Sequence, residues 1–413
     1  LGRGEMKLAV EQILILNAII YLRDFEIKKR SESLIGKSVY DFAMDFRCEG
    51  FPEDDLPGEM NETEFSYIIN TIKRNKKKFE KVIIRNVENK QVGNKRVEGK
   101  DHESKKVVSG TFTVGKDIYV VYKGTAGALE WRDNGELGYE DRTDTRQQIV
   151  ALKYYDKMVN LLAEEDDVSI WVSGHSKGGN KAQYVGIKRG DDARLKGVYS
   201  FDGPGFNRSF HEKYKREIIN NAHKIIGISS DSDFVNILFK SGAKSEVFIE
   251  GSTTKGESKK RDNILAHRFG GYHSIFAMFR VMENQVVLGD IVPQNEAMRV
   301  LHLLLWEYQK KLRTDDLKYF YYTLSSMMME KCLVKEYGED FSQMPKGFVG
   351  RITRTTREFL RGNREKYKKV FREEIQPALK QMGIILLLGN AEKMPAKKIR
   401  KIIEREKEDS QEK

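Results

Sequence analysis

Apolar positions change their spacing along this chain, and the changes mark its elements. From residue 7 to 22 they recur at helical intervals, at Leu8, Ile13, Leu14, Leu16, Ala18, Ile19 and Leu22. That spacing predicts a helix packed on a core. Ser38 to Arg47 is a second candidate helix, and Asn61 to Phe79 a third, capped near Asn61 or Thr63. Phe51 to Gly58, with its prolines and acidic residues, is a loop. From Lys81 the pattern shifts to short β-branched and aromatic runs. Lys81–Arg85 is one strand; Val107–Val114 and Ile118–Tyr122 form a hairpin across the Gly115-Lys116-Asp117 turn. Strand and helix patterns then alternate. Thr143–Leu162 is helical, Val168–Val172 a strand, Asn180–Ile187 helical, and Gly197–Phe201 a strand. Phe206–Asn221 is a helical connection and Lys224–Ile228 a strand, with Glu246–Glu250 the last strand. This alternation predicts an α/β fold whose sheet is mostly parallel after an N-terminal hairpin.

Residues 296–413 are almost all helical in pattern. Leu317, Phe320, Tyr321, Leu324, Met327 and Met328 make an apolar stripe, expected to be core or a partner-helix face. Arg351 to Lys380 is basic and amphipathic, a pattern of a helix packed on the core or lying on an anionic membrane. The expected organisation is N-terminal helices on the core over 1–80, an α/β domain over 81–295 and a helical C-terminal extension over 296–413.

Composition narrows the function classes. At 413 residues the chain is long enough for a large core, and 33% charged residues imply a well-hydrated surface. Its longest apolar stretches, Ile13–Leu22 and Gly383–Leu388, are too short to span a bilayer. A net charge of +11 suits an anionic membrane surface as a partner. No specific nucleic-acid partner is expected. Cys48 and Cys332 offer neither a disulfide framework nor metal-ligand spacing, which argues against metal-assisted hydrolysis while Asp/His sites stay open, and no cofactor is expected. Leu1 to Met6 reads as a trimmed start without a secretory leader, and the expected location is cytoplasmic.

The chemistry centres on Gly174-His175-Ser176-Lys177-Gly178-Gly179, between a strand and a helix. Gly-x-Ser-x-Gly in that context is a nucleophile elbow, a sharp turn that lifts a serine above the sheet edge. Ser176 is the candidate nucleophile. Serine at its ordinary pKa needs a histidine base, and the histidine needs a carboxylate. In an α/β-hydrolase the chain order is Ser, acid, His. Asp233 is preferred as the acid over Asp231, with Asp202 third. His273 is preferred as the base over His267. His175 is expected to point elsewhere along the turn, and His302 to be packed or on the surface. An oxyanion hole requires two donors. The Lys177 amide is one candidate, and Thr125, in the loop after Ile118–Tyr122, is the other.

Together these residues resemble the class 3, fungal-type lipases, and more closely a bacterial lipase-like group. Tyr122-Lys123-Gly124-Thr125 is similar to their Phe-Arg-Gly-Ser/Thr oxyanion motif, and Gly174 to Asn180 to their elbow. Asp233-Phe234-Val235 resembles their Asp-x-Val motif, with Asn236 where a proline is usual. Leu16 to Phe25 is similar to the group's opening helix. The resemblance spans residues 8–290 and implies hydrolysis of acyl-lipid esters, lysophospholipids included. Two other readings stay open: an inactive hydrolase-fold scaffold that docks through its basic helices, and a thioesterase or peptidase using the same triad. The loops Ser252–Arg261 and Gly127–Arg142 are candidates for a lid.

Overall fold

The structure is a computed structural model that describes residues 7–46, 60–91, 106–124, 138, 143–162, 167–252, 270–328, 342–363 and 365–377. Its centre is an eight-stranded sheet. In chain order its strands are β1 (Ile83–Gln91), β2 (Lys106–Val114), β3 (Asp117–Tyr122), β4 (Ser169–His175), β5 (Leu195–Phe201), β6 (Ile225–Ser230) and β7 (Ser245–Ile249). They lie side by side in that order. The first three pair antiparallel, and β3 through β7 pair parallel. The fold is therefore the expected α/β sheet, parallel after its opening antiparallel strands.

Glu246–Glu250 is not the last strand, as the sequence pattern predicts. A small hairpin follows, β8 (Phe279–Met282) with β9 (Gln285–Leu288), and then β10 (Ile291–Val292), which closes the sheet antiparallel to β7. Two features hid them. The hairpin turns through Glu283 and Asn284, both at positive φ, without the glycine that usually signals such a turn. The last strand is two residues long, too short for any alternation to register. Strand β1 also outruns its apolar start, because polar Asn86 to Lys90 still pair with β2. The predicted helix from Asn61 to Phe79 is two, Glu62–Arg74 and Lys76–Phe79, parted at Asn75. The Asn61 cap is present: its side chain accepts from the Glu64 amide, and Glu64 accepts in return from the Asn61 amide, both at 2.9 Å.

Period-two alternation sends strand residues to opposite faces. Tyr119 and Val121 face one core, Ile118, Val120 and Tyr122 the other. The second core is covered by α7 (Arg146–Leu162) and α8 (Lys177–Arg189). The first is filled by α1 (Val10–Ile19) with the N-terminal helices that follow it. Helix α1 is buried almost all round, and Ile13, Leu14, Ile15, Leu16 and Ile19 are all fully buried. Each such side chain contributes about 1.5–3 kcal/mol by burial, which fixes this segment as core rather than surface. Asn17 pins it in register, donating to the Ile13 carbonyl and to Ser173 Oγ, both at 2.8 Å.

A third core belongs to the C-terminal helices α11 (Glu296–Lys311), α12 (Thr314–Met328) and α13 (Phe348–Arg361). Leu317, Phe320, Tyr321 and Leu324 from the apolar stripe are buried in it. So are Phe234, Val235, Ile237, Leu238 and Phe239, the segment directly after Asp233. Among the described residues no helix is long and apolar enough to cross a membrane.

Candidate active site

The site stands at the carboxyl ends of β3 to β7. Strand β4 ends at His175 and α8 begins at Lys177, leaving Ser176 alone at the bend with φ 57° and ψ −127°. A non-glycine residue pays for that conformation in strain, of order 1–3 kcal/mol. The surroundings hold it there. The Ser176 amide donates to the Phe201 carbonyl at 2.8 Å, and its carbonyl accepts from the Asn180 amide at 3.2 Å. The flanking glycines are required by contact. A Cβ on Gly174 would strike the Gly178 carbonyl, and one on Gly178 would strike the Tyr122 carbonyl of β3.

Three of the predicted residues meet there. Ser176 Oγ lies 2.8 Å from His273 Nε2, and His273 Nδ1 lies 2.9 Å from Asp233 Oδ1. A carboxylate only accepts, so Nδ1 carries the proton and donates. In the neutral ring Nε2 is then the acceptor, and Ser176 O–H points its proton at it. All three side chains are buried, Asp233 completely. Asp233 follows β6 and His273 ends the short 3-10 turn Gly270–His273 after β7. The Asn236 amide donates to Asp233 Oδ2 at 2.6 Å. A proline at 236, as in the resembled motif, has no such N–H, so this chain's departure from the motif adds a donor to the carboxylate.

The alternates take other hydrogen bonds, although Asp202 Oδ2 lies 3.9 Å from His175 Nε2. Asp231 accepts from the Gly251 amide at 3.0 Å and ties β6 to the end of β7. Asp202, at φ 45°, accepts from the Ser230 amide at 2.8 Å and joins β5 to β6. His267 and Thr125 lie outside the described residues, as do nearly all of both candidate lid loops. Lys177 opens α8, so its amide is at the helix start, where backbone N–H groups favour developing negative charge. The loop expected to hold Thr125 begins beside the nucleophile: a Cβ on Gly124 would come to 3.1 Å from Ser176 Cβ. Two contacts fix this loop's first residue. Lys123 pairs with Glu26, and the Lys181 ammonium donates to the Lys123 carbonyl at 2.8 Å.

His175 corrects an expectation. Its ring does not turn away but stacks on His273, with centroids 5.1 Å apart and planes 27° apart. Nε2 lies 3.1 Å from the His273 carbonyl and Nδ1 2.7 Å from Tyr21 Oη. Burial, then the neighbouring His273 charge, push its pKa well below the ordinary histidine value, so it stays neutral. Only the motif's own histidine signalled this contact, and sequence spacing does not reveal what a side chain at a turn will touch. His302 is half-buried and donates from Nδ1 to the Ile237 carbonyl at 2.8 Å, a packed histidine as expected.

His175, Asp202 and His273 bring ligand-type atoms within 4.8 Å of one another. Their ring nitrogens are already engaged: His175 with Tyr21 and a carbonyl, His273 with Asp233 and Ser176. A metal would have to displace those bonds, so the donor set does not fit a resident ion.

Residues 82–257 match the Mbeg1-like family, a lipase-like family. No curated protein matches the chain. Among solved structures it is similar to the Lip2 lipase of Yarrowia lipolytica, at 19% identity and TM-score 0.29, over 42% of this chain and 68% of that one. It is also similar to a triacylglycerol lipase of Penicillium expansum, at 13% identity and TM-score 0.25, over 36% and 65%. A third is a lipase of Rhizopus microsporus var. chinensis, at 19% identity and TM-score 0.24, over 32% and 51%. The chain thus spans between about half and two thirds of these lipases' own lengths. With its parallel sheet and its elbow at the end of β4, the chain has an α/β-hydrolase sheet, and the part of it that matches the Mbeg1-like family is residues 82–257.

Proposed function

We propose that the protein is a serine hydrolase of carboxylic esters, with acyl lipids as its substrate class. One observation carries the reading: Ser176, His273 and Asp233 form an unbroken hydrogen-bonded line, in the chain order Ser, Asp, His of this fold. The lipid class rests on the lipase-like family and on the motifs at Lys123–Thr125 and Gly174–Asn180.

In this reading His273 Nε2 takes the Ser176 proton as Oγ attacks the ester carbonyl. The carbonyl π electrons move to oxygen, and the Lys177 amide and Thr125 hold that oxyanion. Asp233 keeps His273 in the Nδ1–H tautomer and stabilises the imidazolium. Collapse of the intermediate breaks the ester C–O bond, and the imidazolium returns its proton to the leaving alcohol. Water then repeats the sequence on the acyl-enzyme, releasing the acid and free Ser176. No step calls for a cofactor.

A fluorophosphonate probe tests the reading. The intact protein should label, and Ser176→Ala and His273→Ala should not. Esters of rising acyl length then define the substrate, with long chains preferred. A folded intact protein that resists the probe would overturn this reading in favour of a scaffold. Labelling together with faster turnover of thioesters or peptides would move the assignment to a thioesterase or peptidase.

A further inference from the structure

Behind the candidate triad stands a second, buried line of polar groups. Tyr21 lies just past α1, His175 at the end of β4 and His273 after β7, so the three come from distant parts of the chain. Tyr21 and His175 are almost wholly shielded from water. A carbonyl oxygen only accepts, so the 3.1 Å contact to the His273 carbonyl requires that His175 Nε2 carry the proton. The neutral ring then has its lone pair on Nδ1, and Tyr21 O–H must donate to it across 2.7 Å. The direction of every bond in the line is thereby fixed. Tyr21 Oη also sits against Gly124, where any Cβ would collide with it.

We propose that Tyr21 and His175 are a positioning pair for the catalytic base: Tyr21 locks the His175 tautomer, and His175 holds His273 by its backbone and by stacking on its ring. The inference rests on the ester-hydrolase reading, since it assigns the pair a purpose through His273. The turn that carries the base begins with Gly270-Gly271. Two glycines leave the backbone free to rotate. A donor on the His273 carbonyl and a ring packed at 5.1 Å remove that freedom from the two sides where Asp233 and Ser176 do not. Neutrality matters to the arrangement: a charged His175 would repel the imidazolium that His273 becomes during turnover. Burial, followed by the His273 charge itself, keeps it uncharged. The same tyrosine borders the first glycine of the oxyanion loop, so one hydroxyl from the N-terminal segment touches both sides of the reaction centre.

The test uses the full-length protein, uniformly labelled with 15N-histidine, and a fluorophosphonate probe. Long-range 1H–15N spectra read the tautomer of each ring, and His175→Gln identifies the His175 signals by their loss. The expected result for the intact protein is an Nε2–H tautomer at His175. In Tyr21→Phe the His273 carbonyl still favours Nε2–H, but the preference weakens and the labelling rate falls about tenfold, a 1.4 kcal/mol change in barrier. His175→Gln, whose side-chain amide can still donate to the His273 carbonyl, should label faster than His175→Ala. That ordering also decides the matter should Tyr21→Phe fail to fold. A labelled intact protein whose Tyr21→Phe variant keeps both rate and tautomer overturns this inference alone, as does a His175→Ala variant that labels at the full rate. An intact protein that does not label overturns the ester-hydrolase reading, and this inference with it.

Discussion

Single atoms decide most of what the site can do. Asp233 accepts from His273 Nδ1, so under the proposed ester hydrolysis Asp233→Asn should leave the fold intact and lower turnover about 10⁴-fold, measured by steady-state ester hydrolysis. The Asn236 amide donates to the carboxylate's second oxygen. Hydrogen bonds to charged groups contribute about 1.5–3 kcal/mol, so Asn236→Pro should slow labelling by tens of fold, while Asn236→Ala, which keeps the N–H, should not. Gly178 is limited by space: Gly178→Ala meets the Tyr122 carbonyl and should cost about 1–3 kcal/mol or more, read from chemical denaturation. At this scale the sequence was most legible at Ser176, because an elbow needs glycines at fixed offsets on both sides of it. Asp233 and His273 were legible as the candidates that follow the right strands, but strand order alone cannot choose between Asp231 and Asp233. That choice depends on which carboxylate faces the histidine, and the Asp231 side chain instead turns to the Gly251 amide.

Elements are joined at a few charged points away from the chemistry. Asp144, ahead of α7, accepts from Lys213, Tyr184 and Tyr214. Burial alone would raise its pKa, but these donors outweigh burial and hold it at about 2. A depressed carboxylate stabilises the fold above its unfolded pKa of about 3.9 and loses that contribution as pH falls through its folded value. Asp144→Asn should therefore destabilise the protein by about 1 kcal/mol at neutral pH, the gain being screened by solvent, and should flatten the fall in stability between pH 4 and pH 2. A heavier joint lies in the helical region. Asp316 is fully buried and takes a two-pronged bond from Arg351, at 2.6 and 2.7 Å. Arg351→Met leaves that carboxylate only its longer bonds from Arg313, at 3.2 and 3.3 Å, and should cost about 1.5–3 kcal/mol, seen as earlier unfolding of the helices. These joints were invisible in the sequence, because each links residues tens of positions apart. The hairpin and closing strand past residue 278 were hidden for a different reason: a turn without glycine and a two-residue strand carry almost no local signal.

Across the molecule, the cores draw on distant stretches of the chain. The N-terminal helices share one core with the sheet, and the C-terminal helices pack on the residues that follow Asp233. Residues 81–295 expressed alone should consequently aggregate or stay molten, which near-ultraviolet circular dichroism would register as absent tertiary signal. Helix α1 makes the dependence sharpest. Asn17 finds its partner Ser173 only 156 residues later. A ribosome adds about 5–20 residues each second, so the segment waits roughly 8–30 s with its oily surface unshielded. Throughout that interval it is a docking target for chaperones and a seed for clumping. Yield in a foreign host should thus depend on elongation speed and on holdase supply more than on the melting point of the finished protein.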